Sequence, residues 1–169
     1  MIDKSKITEM AIVRLGEVGT IYNDNRSEIY KVAEKLLDNI IDTIAVDNNF
    51  LFNATTIKLN KSLQEKNILG EYRYNLPIDF LNIIRAKGCR IEGEFIYSKD
   101  EEAIITYCRK MSLQEFPDYL TNLLIYNLAS VLCDAYSAYS DRKTLMLSYY
   151  NREVQRVMNI EGLRFDEVN

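Results

Sequence analysis

Residues 71–132 limit the fold more than any other stretch, because strand, turn and helix signals follow one another there in a distinctive order. An aromatic segment, Tyr72-Arg73-Tyr74-Asn75-Leu76, alternates with the period of a strand and runs into Pro77-Ile78-Asp79-Phe80. Proline has no N–H to donate, so pairing ends at Pro77. A strand over 81–86 follows, then a hairpin pairing 89–92 with 94–98 across Gly93. The acidic turn Asp100-Glu101-Glu102 leads to a last strand over 103–109. Pro117 then suits the first turn of a long amphipathic helix, where its missing N–H costs nothing.

The flanks read as helices. Asp3 or Ser5 can cap a first helix over 4–15, with Ile7, Met10, Ala11 and Leu15 on one stripe and Gly16 and Gly19 as its stop. Residues 20–26 are turn-rich. Ser27 caps a second helix over 27–46, with Tyr30 where a capping-box glutamate would stand. Its face is Ile29, Ala33, Leu36, Leu37, Ile40, Ile41 and Ile44, and Asp47-Asn48-Asn49 ends it. Residues 50–59, rich in aromatic and β-branched types, read as one strand or two short ones, and 60–69 as a polar linker with room for one helical turn. The third helix, 117–139, presents Leu120, Leu124, Leu128, Val131, Ala135 and Tyr139. The fourth, 142–159, is capped by Ser140 or Asp141, lined by Leu147, Tyr150, Val154 and Val157, and stopped by Gly162. Residues 160–169 show no regular pattern. The expected class is α+β in one domain over 1–169, with a β region at about 50–110. Helices on one face of a small sheet, or a four-helix bundle with an inserted strand region, both satisfy the pattern. The long apolar faces of both helix pairs favour the bundle.

Composition narrows the chemistry. A chain of 169 residues buries roughly 70% of its unfolded surface and needs no disulfide or metal to hold a core. The chain contains no histidine, which removes Ser-His-Asp and Cys-His systems, His-ligated zinc and the usual neutral-pH base. Cys89, Cys108 and Cys133 are far apart and lack metal spacing, so reduced thiols acting as small hydrophobes in a reducing cytoplasm are expected. The net charge of −4 argues against a primary nucleic-acid binder, yet suits a protein that DNA passes without sticking. No signal core opens the sequence, and its apolar runs fall short of the ~20 residues that cross a bilayer. A soluble protein is expected, with no membrane partner. Twelve tyrosines suit half-buried surfaces, the ring being apolar and the hydroxyl seeking a partner.

Each cluster with chemical potential has a plainer reading. Gly16-Glu17-Val18-Gly19 lacks the strand–loop–helix context of a phosphate loop. Asp38 and Asp42, one turn apart, read as a solvated helix edge. Asp100, Glu101 and Glu102, and Glu92 with Glu94, read as turns, although paired carboxylates serve glycosidases. Arg85, Lys87, Arg90, Arg109 and Lys110 near Tyr72, Tyr74 and Tyr107 mix cations with aromatics as single-strand binders do. The acidic total and the scatter favour solvated sheet faces or subunit contacts. Leu163 and Phe165 stand among charges at the end of the chain, either frayed or docked on a partner. No catalytic, cofactor or metal residue is assigned.

In order along the chain, Arg14-Leu15-Gly16 at the end of the first helix, the aromatic run Phe50-Leu51-Phe52-Asn53-Ala54, Tyr72-x-Tyr74-x-Leu76-Pro77-x-Asp79-Phe80-Leu81, Glu92-Gly93, and Ile105-Thr106-Tyr107 before Phe116 resemble the podovirus head-to-tail adaptors, also called tail tubular protein A or the gatekeeper. The likeness covers about 7–159. It departs in lacking the tryptophan common after the family's second helix. The resemblance implies a non-enzymatic, structural virion protein of the neck, made in the host cytoplasm. About a dozen copies would form a ring beneath the portal protein, extend the DNA channel and seat the tail nozzle or next ring. Helical bundles would pack side by side, while the strand region and the tail with Leu163 and Phe165 reach partners. No cofactor is implied, and DNA would pass without specific binding. The Lys-, Ile- and Asn-rich composition suits an AT-rich genome such as a crAss-like phage. Two further readings stay open: a DNA-binding or regulatory phage protein, and a carboxylate-dependent cell-wall hydrolase.

Overall fold

The computed structural model describes residues 3–16, 28–47, 50–62 and 65–168, with the backbone alone for 163–168. The class is α+β, with four helices and two three-stranded antiparallel sheets among the described residues. The chain divides into two compact units, Met1–Ile44 with Met111–Asn169, and Ala45–Lys110.

The first unit is helical. Helix α1, Lys4–Arg14, begins where the Asp3 carboxylate accepts the Ser5 amide and ends at Gly16, whose φ of +86° ordinary residues rarely adopt. It buries Ile7, Ala11, Ile12 and Leu15. Helix α2, Glu28–Asp47, buries Ile29, Ala33, Leu37, Ile40, Ile41 and Ile44, leaving Leu36 half-exposed. A hydrogen bond of 2.6 Å between the Ser5 and Tyr30 hydroxyls, and a Lys4–Asp38 ion pair at 2.8 Å, tie these two helices. Helix α3, Thr121–Ala135, is buried around most of its girth, with Leu123, Leu124, Leu128, Leu132 and Cys133 inside. Both α1 and α4 pack on it.

Three helical boundaries differ from expectation. The third helix starts later, because Leu113 and Phe116 are buried ahead of Pro117 and a 3₁₀ turn, Asp118–Leu120, precedes it. It stops at Ala135, where Tyr136 takes an extended conformation and a 3₁₀ segment, Ser137–Arg142, follows. The fourth helix, α4, Lys143–Val168, runs through Gly162. Glycine inside a helix costs only about 1 kcal/mol. Glu161, buried beside it, is held by the Tyr119 hydroxyl at 2.8 Å, which anchors the helix across that position. The region expected to be irregular, 160–169, is therefore helical to Val168. The buried stripe of α4 is Met146, Glu153, Val154, Val157 and Glu161, and Leu147 is exposed instead. Arg156 bonds Glu153 at 2.6 Å and also donates to the Tyr119 carbonyl.

The second unit is built from β1 (Ala54–Lys58), β2 (Tyr72–Asn75), β3 (Phe80–Ala86), β4 (Cys89–Glu92), β5 (Phe95–Ser98) and β6 (Ile104–Arg109). The sheets are ordered β1-β6-β3 and β2-β5-β4. They enclose one core of Leu59, Tyr74, Ile96, Ala103, Ile105 and Tyr107. Gly93, at φ +60°, makes the β4–β5 turn as expected. Residues Leu51–Asn53, expected as strand, form a 3₁₀ turn instead, which lets both Phe50 and Asn53 be buried before β1 begins. Residues 60–62 and 65–69 contain no helical turn.

Candidate functional site

The Leu-Pro-x-Asp-Phe turn does structural work. The Tyr107 hydroxyl on β6 donates to the Asp79 carboxylate at 2.9 Å, and the Lys110 amide donates to the Asp79 carbonyl at 2.6 Å. The Phe80 ring stacks on Tyr107 at 5.8 Å between centroids. This turn thus clamps the start of β3 to the end of β6. Burial, helped by the Asp79 carboxylate, pushes the Tyr107 phenol up to about 12. Ionisation is therefore harder in the folded state than in the unfolded one. The stabilisation is complete below pH ~10 and is lost as pH rises towards ~12. Denaturation midpoints at mildly and strongly alkaline pH are expected to show a loss of up to ~2 kcal/mol, and Tyr107→Phe to remove that part of it.

The acidic turn is engaged in the same way. The Tyr74 hydroxyl reaches the Asp100 and Glu101 carbonyls at 2.8 and 2.9 Å. Glu101 pairs with Lys61 at 2.7 Å, and Glu102 with Lys58. The Lys61 hydrogen bond holds the Glu101 carboxyl below its usual range, the opposite of what a general acid needs. Glu92 pairs with Arg90.

The basic and aromatic residues divide between faces. Arg73 and Arg90 both oppose Tyr97 across the strands, so the three share one side of β2-β5-β4. Arg73 covers the Phe95 ring at 4.5 Å and Arg90 the Tyr97 ring at 4.7 Å. Arg90 also bonds Glu71 at 2.9 Å. Bases stack on open rings beside free cations; here cations cover the rings and carboxylates hold one of the cations. Tyr74 and Tyr107 are core residues, and Arg85 and Lys87 are exposed on and after β3.

A loop that the sequence alone did not single out stands out in the geometry. The Asn67 side-chain carbonyl accepts the Leu69 and Glu71 amides, both at 2.9 Å, while its amide donates to the Glu71 carboxylate at 3.2 Å. Gly70, at φ +74°, completes the turn, and Arg90 pins Glu71 to β4. Arg90 and Asn67 hold the Glu71 carboxyl below its usual range. On this braced loop Ile68 is fully exposed and Leu69 largely so; Ile78, in the Leu-Pro-x-Asp-Phe turn, is fully exposed as well.

Of the other residues considered from sequence, Asp38 pairs with Lys4. Glu17, Val18, Gly19 and Ser27 lie outside the described residues, as do the side chains of Leu163 and Phe165. The backbone places those two on the last turns of α4. The three cysteines are free thiols, Cys108 and Cys133 buried and Cys89 half-buried, and burial raises the pKa of each. Among the described residues no three His, Cys, Asp or Glu gather as a metal site, and no helix is long and apolar enough to cross a membrane. No protein-family model matches the chain, and no curated protein matches it.

Proposed function

We propose that this chain is a structural protein of a phage virion, forming a ring between portal and tail, extending the DNA channel and seating the tail. The observation that carries the reading is the order of the chain: a helical pair, an inserted β unit, and a second helical pair. That is the order in which the head-to-tail adaptor resemblance lays out its motifs. The motif residues support it by the work they do. Asp79, Phe80 and Tyr107 brace the β unit. A rigid loop that exposes Ile68 and Leu69 suits burial against another protein. An acidic balance offers few cations to passing phosphates. The last turns of α4, which carry Leu163 and Phe165, are candidates for partner docking in this reading.

The deciding experiment mixes the chain with the portal ring of the same genome and images the mixture by cryo-EM. A ring of copies stacked on the portal's narrow end is expected. An intact portal left bare would sink the proposal, and a salt-dependent affinity for DNA would then favour the DNA-binding reading.

A further inference from the structure

We propose that Arg14, Arg142 and Arg152 are the basic half of a head-to-tail contact between one copy of the helical unit and the next; the proposal rests on the ring reading above. Three helices and a turn contribute. Arg14, in the last turn of α1, lies over the Tyr126 ring of α3 at 5.4 Å. Tyr126 packs on Tyr149 of α4 at 5.2 Å, and Arg152 lies over Tyr149 at 5.2 Å. Beside them, a Cβ added at Gly16 would stand 2.5 Å from an Arg142 guanidinium nitrogen, so that group fills the space glycine leaves.

These guanidiniums are placed and unspent. Among the described residues none of the three meets a carboxylate, whereas Arg90 meets Glu71 and Glu92, and Arg156 meets Glu153. Packing on tyrosine rings and on a glycine restricts each planar group before any partner arrives, so less freedom is lost on pairing. Their surroundings are acidic. Segments 1–44 and 111–169 hold 11 Lys and Arg against 16 Asp and Glu, a balance of −5 within the chain's −4. Glu9 and Asp118 are among the exposed acids of this unit with no cation in the described residues.

The signs decide the geometry of association. A two-fold contact centred on this cluster would set arginines against arginines. A head-to-tail contact sets them against the next copy's acidic surplus, and such a contact closes into a ring when the rotation between copies closes. Long-range repulsion between like-charged copies is screened beyond ~8–10 Å, which leaves the local pairing in control. A duplex is a poorer occupant, because an acidic unit repels its dense line of phosphates.

The test compares the wild-type chain with Arg14→Glu/Arg152→Glu and, as a milder variant, Arg14→Gln/Arg152→Gln, each first checked for unchanged circular dichroism. On portal rings, the wild type should close a ring, and the reversal should leave gaps or isolated bound copies. In sedimentation velocity at low salt, the Gln variant should self-associate about tenfold more weakly than wild type. Complete rings from both variants would overturn the proposal while leaving the adaptor reading intact. Should the wild type leave the portal bare, the adaptor reading falls, and sedimentation decides the contact alone: salt-sensitive association lost in the variants sustains it, and a monomer throughout overturns it. Wild-type affinity for duplex DNA that disappears in the variants, with self-association unchanged, assigns the cluster to DNA and also overturns it.

Discussion

Replacing Tyr74 by alanine is expected to cost about 3–5 kcal/mol and to unfold the β unit while leaving most helical signal in place. Tyr74 is fully buried at the centre of a core whose other members, Leu59, Ile96, Ala103, Ile105 and Tyr107, all lie within Ala45–Lys110. Truncation leaves a cavity in the one core that the two three-stranded sheets share. It also removes the hydroxyl that holds the Asp100 and Glu101 carbonyls, and with them the turn carrying both lysine-paired glutamates. Tyr74→Phe separates the two effects, since it keeps the ring and gives up the hydrogen bonds, for about 1–2 kcal/mol. Denaturant titration followed by far-ultraviolet circular dichroism and by tyrosine fluorescence reads the outcome. Tyrosine signal from the β unit should change at a lower denaturant concentration than helicity in the alanine variant. A single coincident transition, displaced by less than the phenylalanine variant's cost, would contradict the packing described.

Tyr74 also shows what the sequence makes legible. In Tyr72-Arg73-Tyr74-Asn75-Leu76 the alternation places every second residue on one face, and Tyr74 is the one enclosed. The hairpin at Gly93 was legible because its φ of +60° is one that glycine adopts freely. The 3₁₀ turn at Leu51–Asn53 was not, because Phe-Leu-Phe-Asn has strand composition and the burial of Phe50 that accompanies the turn is a tertiary effect. The face of α4 is legible from Tyr150 onward, with Val154 and Val157 buried, and only its first turn differs. There Met146, four residues before Tyr150, turns inward and Leu147 stays exposed; both are apolar, so composition alone does not choose between them. Gly162 reads as a stop only until Tyr119 is seen to hold Glu161, a contact far away in sequence. The candidate contacts were the least legible. The brace of Asn67 is local but depends on side-chain geometry, and the Arg14–Tyr126–Tyr149–Arg152 stack depends on how α1 and α4 lie on α3.

On the ring reading proposed above, changing Ile68 and Leu69 together to aspartate is expected to abolish ring assembly on the portal while leaving the fold untouched. Both side chains are exposed, so the free chain loses little; surface substitutions of this kind usually stay within ±0.5 kcal/mol. On the proposed ring reading the same two side chains become buried. Covering a leucine or isoleucine contributes about 1.5–3 kcal/mol, and leaving an aspartate there adds the cost of an unpaired buried charge. Losing even ~3 kcal/mol at one contact weakens it by more than a hundredfold, and a closed ring repeats that loss at every copy. The brace deserves its own variant. Asn67→Ala keeps the apolar tip but removes the carbonyl that receives the Leu69 and Glu71 amides. If the loop acts through preorganisation, this variant should assemble, but at higher protein concentration, because the tip must be ordered on contact. Cryo-EM of portal rings mixed with each variant, with circular dichroism as the folding control, reads all three states: complete rings for the wild type, rings needing more protein for Asn67→Ala, and bare portals for the double aspartate. Full decoration by the double aspartate would remove this loop from the contact and shift the search to Ile78 and the end of α4.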